Sequence, residues 1–218
     1  MHPIPDVTKN LLIINCLVFL AQLTFPSITN HLALYTPGIS DNFEPYQIVT
    51  YMFLHSPEGI GHLFFNMLSL YMFGLGLEQA LGAKKYLFLY LSAGLGAAFL
   101  HSGVMYWEIN NFVQTKLAEG YPAEQVQAAT NMFRTVGASG SIFGLLAAYG
   151  MLYPNKIIML MFPPIPMKAK YFVLLFGAAE LYSGLAGSNT GVAHFAHIGG
   201  AVIGLALVLL WRQQGEKF

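Results

Sequence analysis

Gly137-Ala138-Ser139-Gly140 opens an apolar run that reaches Tyr153, and Ala196-His197-Ile198-Gly199-Gly200 opens another that reaches Trp211. A run that begins Gly-Ala-Ser-Gly is expected to start below a bilayer surface, in a water-filled notch, because irregular backbone at membrane depth is tolerated only where protein or water satisfies it. Small residues follow each polar one at four-residue spacing: Gly140 and Gly144 behind Ser139, Gly200 and Gly204 behind His197. Small-x-x-x-small faces let two helices approach closely in lipid. The two runs are therefore expected to be packed helices that bring a serine and a histidine near hydrogen-bond range.

Composition supports the membrane reading. Of 218 residues, 56% are hydrophobic and 9% are charged, against about 25% charged in ordinary globular domains. Net charge is zero, so there is no basic field for nucleic acid and no acidic tail. The one cysteine, Cys16, lies inside an apolar run and reads as packing filler. The first run follows Lys9 but lacks a small-x-small cleavage site, and further runs come after it, so it reads as a span and not as a signal peptide.

Crossing hydrocarbon takes roughly 20 residues. Six candidate runs appear, at about 10–25, 61–80, 86–107, 139–153, 171–187 and 193–211, of which the first, fourth and fifth are short or interrupted. The expectation is an all-α polytopic membrane protein, six transmembrane helices in one bundle, forming a single domain over 1–218 with no repeat. With six spans, Lys9, Lys84, Lys85, Lys156, Lys168, Lys170, Arg212 and Lys217 fall on one side and only Lys116 and Arg134 on the other. Both termini are then cytoplasmic. The second, fourth and sixth spans run inward, so His62, Asn66, Ser139 and His197 all come out at one depth in the outer part of the membrane.

The connections carry their own signals. Residues 26–59 contain Pro37-Gly38, Asp41-Asn42 and Pro45, no Lys or Arg, and an aromatic amphipathic stretch from Tyr46 to Leu54. A partly embedded, Ω-like loop is expected there. Pro122 suits the first turn of a short helix over 123–132. Pro154, Pro163, Pro164 and Pro166 break the chain after the fourth span.

A serine hydroxyl needs a neighbouring base to become a nucleophile, and histidine is the usual one at neutral pH. Ser139 opens a helix, so unpaired N–H groups there suit an oxyanion. His62 and Asn66 share a helical face at i and i+4 and can donate to the same charge. Phe143, at i+4 from Ser139, can pack on the imidazole. No acidic third member is evident, which makes the expectation a dyad. A metal cluster of His55, His62, His194 and His197 is the alternative, although His-Glu-x-x-His is absent. Otherwise His194 is a supporting residue, and His2, His31 and His101 are terminal, loop and interface positions. Glu78 and Glu180 read as carboxylates that bond helix ends or loops. A transporter or channel would need charged groups through both leaflets.

Phe53-Leu54-His55, His62-Leu63-Phe64-Phe65-Asn66, Gly76-Leu77-Glu78, Gly137-Ala138-Ser139-Gly140 with Gly144, and Ala196-His197-Ile198-Gly199-Gly200 with Gly204 occur in that order. Together they resemble the rhomboid intramembrane serine proteases, in the compact six-helix bacterial form, over essentially the whole chain. The resemblance implies that Ser139 is the nucleophile and His197 its base, and that His62, Asn66 and the Ser139 amide hold the oxyanion. It places Phe143 at the family's aromatic position against the histidine, with Gly137, Gly140, Gly144, Gly200, Gly204 and His194 in support. It further implies single-span membrane proteins as substrates, cut near the outer face, a bacterial inner-membrane location, and no metal or nucleotide cofactor. Many members carry Trp-Arg in the first outer loop where Tyr46-Gln47 stands here, which puts the anchoring of that loop in question. A rhomboid-like protein that binds membrane clients without cutting them is the alternative, and its usual mark is loss of the serine or the histidine.

Overall fold

The structure, a computed structural model, describes residues 3–57, 59–159, 164–187 and 192–216. His2, Pro163 and Lys217 lie outside the described residues. Helix α1 (Asp6–Thr24) leads into α2 (Ser27–Leu32), strand β1 (Leu34–Tyr35), α3 (Gln47–Thr50) and a 3₁₀ turn at Tyr51–Phe53. The long α4 (Ile60–Ala118) follows, then α5 (Ala123–Thr130), β2 (Arg134–Thr135) and α6 (Ser139–Leu152). Strands β3 (Ile157–Met159) and β4 (Pro166–Lys168), α7 (Ala169–Leu185) and α8 (His194–Gln213) complete the described chain.

Helix α4 holds the runs at 61–80 and 86–107, joined through Gly82, the one residue within it with non-helical dihedrals, φ 74° and ψ 159°. Only glycine adopts that φ at little cost. Just beyond this break, Tyr86 packs onto Gly74, where a β-carbon would come 2.5 Å from its hydroxyl. The second arm runs on to Ala118, past the expected limit at 107, because Ile109 is buried and Thr115 Oγ1 donates to the Asn111 carbonyl. Pro122 precedes α5, as its fixed φ suggests.

Helices α4, α6 and α8 pack extensively on one another, with α1 against α4 and α7 against α8 and α6. Leu70, Leu77, Tyr86, Leu89, Tyr90, Leu145 and Val208 form the common interior. The outer faces are apolar as well: Leu17, Phe99, Leu174 and Leu185 are exposed, while Asn15 and Gln22 on the same α1 are buried. A lipid-facing surface with polar groups turned inward has this distribution. Among the described residues three helices, α1, α4 and α8, are long and apolar enough to cross a membrane, and α6 is a shorter apolar helix.

Glu78 accepts hydrogen bonds from the backbone N–H groups of Val7 (2.9 Å) and Thr8 (2.7 Å) and from the Thr8 hydroxyl (2.7 Å). It caps the N-terminus of α1, where unpaired donors and the helix dipole both favour a carboxylate. The loop between α1 and α4 is built on Gln47. Gln47 is fully buried; its amide donates to the carbonyls of His31 and Asn42, and its oxygen accepts from Glu44 N–H and, at 3.4 Å, from Tyr35 N–H. The loop is thus anchored by a neutral amide, whereas Tyr46 is exposed.

Candidate active site

Ser139 is the first residue of α6, and the turn before it is fixed from outside the helix. Gly137, at φ 144°, donates its N–H to the Tyr51 carbonyl (3.0 Å), and the Tyr51 hydroxyl donates to the Gly94 carbonyl (2.8 Å). Antiparallel pairing of β1 with β2, Leu34 opposite Thr135 and Tyr35 opposite Arg134, ties the approach to this turn to the loop between α1 and α4. The first intrahelical bond at this end runs from Ile142 N–H to the Ala138 carbonyl (3.1 Å). The N–H groups of Ser139, Gly140 and Ser141 precede it, in the unpaired first turn of the helix.

His197 lies one turn into α8 and meets Ser139 directly: Nε2 is 2.7 Å from the serine Oγ. The Phe143 ring stacks on the imidazole with centroids 4.2 Å apart and planes 5° from parallel. The approach of α6 to α8 depends on glycine. A β-carbon on Gly144 would stand 2.9 Å from the Gly200 carbonyl oxygen, and β-carbons on Gly200 and Gly204 would overlap the backbones of Gly140 and Gly144. The second arm of α4 joins the same contact: a β-carbon on Gly199 would lie 2.6 Å from the Gly96 carbonyl oxygen. The small-residue string from Ala93 to Ala98 carries that signal in the sequence.

His62 and Asn66 line the same open cleft, which has a volume of about 940 Å³. His62 Nδ1 accepts a hydrogen bond from Ser56 N–H (3.1 Å), which assigns the ring hydrogen to Nε2. That nitrogen is on the side of Gly137, 3.4 Å from where a β-carbon would stand. The Asn66 amide donates to the His62 carbonyl (2.8 Å), which leaves its second N–H hydrogen for the cleft. His101 also lines the cleft and pairs with the Thr135 hydroxyl through Nε2 (2.7 Å).

His55 is buried behind His62, with ring centroids 5.2 Å apart. Burial, followed by the neighbouring His62 ring, holds the His55 imidazole down to about 4, so it is neutral at physiological pH. The four histidines of the alternative metal cluster do not converge; His194 is 2.6 Å from Glu180 Oε2 through Nδ1, and among the described residues no group of three or more His, Cys, Asp and Glu is placed to hold a metal ion.

One expectation is corrected. An acidic group does stand beside the histidine: Glu180 Oε2 on α7 is 3.0 Å from His197 Nδ1. What the sequence did not carry is the rotation of α7 that turns this carboxylate inward.

Residues 42–214 match the rhomboid domain. The chain belongs to the rhomboid family. It is 30% identical over 219 aligned positions to the rhomboid protease AarA of Providencia stuartii, across 94% of this chain and 72% of that protein. Identity to Rhomboid protein 1, mitochondrial, of Saccharomyces cerevisiae is 28% over 150 positions, or 69% of this chain and 38% of the relative. Identity to RHOMBOID-like protein 2 of Arabidopsis thaliana is 32% over 178 positions, 78% and 44% of the two chains. This rhomboid is accordingly a polytopic integral membrane protein, in keeping with its long apolar helices.

Proposed function

We propose that this rhomboid is an intramembrane serine endopeptidase in which Ser139 is the nucleophile and His197 the general base. The observation that carries the reading is the 2.7 Å contact between Ser139 Oγ and His197 Nε2 at the wall of an open cleft. His197 takes the hydroxyl proton as Oγ bonds to the scissile carbonyl carbon, and returns that proton to the leaving amide nitrogen. Water then enters and gives a proton to His197 Nε2 as its oxygen bonds to the acyl carbon, and the imidazolium returns that proton to Ser139 Oγ as the ester C–O bond breaks and the new carboxyl terminus leaves. General base catalysis of this kind contributes roughly 10²–10⁴-fold.

The oxyanion falls to the Ser139 N–H, His62 Nε2–H and the Asn66 amide, with the α6 dipole behind the first of them. Phe143 fixes the imidazole plane, and Gly140, Gly144, Gly200 and Gly204 set the helix separation. In this reading the chain is one domain with six spans and cytoplasmic termini in a bacterial inner membrane, and its substrates are single-span membrane proteins cut near the outer face without metal or nucleotide. The name of the Providencia stuartii relative, a rhomboid protease, supports the reading. The alternative, a client-binding protein without proteolysis, is disfavoured because both serine and histidine are retained and in contact. Labelling with a fluorophosphonate probe tests it: Ser139 takes the label in the wild type, and Ser139→Ala and His197→Ala do not. A folded wild-type protein that takes no label moves the assignment to client binding.

A further inference from the structure

We propose that Glu180 is a positioning residue for His197, so that Ser139, His197 and Glu180 work as a triad and not as a dyad. The inference rests on the serine-protease reading above. Glu180 Oε2 lies 3.0 Å from His197 Nδ1 and 2.6 Å from His194 Nδ1, so one carboxylate oxygen bridges two imidazoles on successive turns of α8. The helices are close at this level: a β-carbon on Gly184 would stand 3.2 Å from the Phe195 ring and 3.4 Å from the His194 β-carbon.

Burial makes the carboxylate informative. Its side chain is 15% exposed and the His197 side chain 9%. A carboxylate at this depth is costly unless it meets a compensating donor or charge. His197 Nδ1 is itself buried, has no aligned hydrogen-bond partner among the described residues, and has Glu180 Oε2 within ion-pair distance. The other ionisable rings acting on this corner, His62, His101 and His194, are histidines, so Glu180 supplies its anion.

The chemistry follows from the ring's two nitrogens. For Nε2 to accept the Ser139 proton, the imidazole hydrogen has to sit on Nδ1, and a carboxylate facing Nδ1 selects that tautomer. Once Nε2 is protonated, the same carboxylate offsets the imidazolium charge while remaining ionised itself. The 3.0 Å separation is within reach of an Nδ1–H···O bond, and catalytic hydrogen bonds are often poorly aligned until substrate binds. His194, held by the other contact, keeps the carboxylate from turning to solvent.

The test is steady-state cleavage of a single-span reporter by the full-length protein in liposomes, with fluorophosphonate labelling rates and detergent melting points for the same samples. Glu180→Gln is expected to lower kcat roughly 10- to 1,000-fold with KM nearly unchanged, slow labelling in proportion, and melt close to wild type. Glu180→Asp, which keeps the charge, is expected to recover most of the loss. An unchanged kcat for Glu180→Gln overturns the proposal, as does an aspartate variant no faster than the glutamine one. Activity that falls only in step with the melting point assigns Glu180 to folding and overturns it too. A wild type that neither labels nor cuts removes the protease reading, and this inference with it; a wild type that does both isolates the fate of Glu180.

Discussion

Gly200 of α8 lies against Gly140 of α6 so closely that a β-carbon on Gly200 would overlap the Gly140 carbonyl. Ser139 immediately precedes one of these glycines and His197 stands three residues before the other, so the backbone contact holds the Ser139 hydroxyl 2.7 Å from His197 Nε2. In lipid, hydrophobicity does not drive helices together, and close packing of small residues does. The same contact therefore serves stability and geometry.

Gly200→Val forces α6 and α8 apart. A loss of about 1–3 kcal/mol or more is expected from overpacking, together with near-complete loss of Ser139 labelling below the melting point. Thermal unfolding in detergent and probe labelling read the two effects separately. A variant that labels at the wild-type rate contradicts the coupling.

Gln47→Ala removes a fully buried side chain that holds the loop between α1 and α4 to its own carbonyls and N–H groups. Leaving those partners unsatisfied costs about 1–3 kcal/mol each where they stay dry. Hydrogen exchange is expected to rise across residues 31–50 while helices α6 and α8 stay protected. Uniform protection in the variant contradicts the anchoring role.

His62→Ala and Asn66→Ala each remove one donor facing the cleft. About 100- to 1,000-fold in kcat is expected for the loss of a donor to a developing oxyanion, with KM changed far less. Kinetics on a single-span reporter decide it. A change confined to KM would place these residues in substrate binding instead.

Much of the site was legible because its signals are local. Gly140, Gly144, Gly200 and Gly204 announce a face by spacing alone, and helix direction puts Ser139 and His197 at one depth. Phe143 follows from the i+4 rule. Glu180 was misjudged because nothing in the spacing of α7 fixes its rotation. The turn at Gly82 carried no signal beyond one glycine between two apolar runs. Strands β1 to β4 are two or three residues long, too short for a period, and exist only through partners up to a hundred residues away. Gln47 anchors by hydrogen bonds that only the folded loop brings together.

Cleavage of a tagged single-span reporter by purified protein in liposomes, with a metal chelator present, is the most direct test. Wild type is expected to cut the reporter near its outer face and Ser139→Ala to leave it intact, while both proteins melt alike. Cutting by Ser139→Ala at the wild-type rate, or cutting by wild type that the chelator abolishes, would contradict a nucleophilic serine activated by His197.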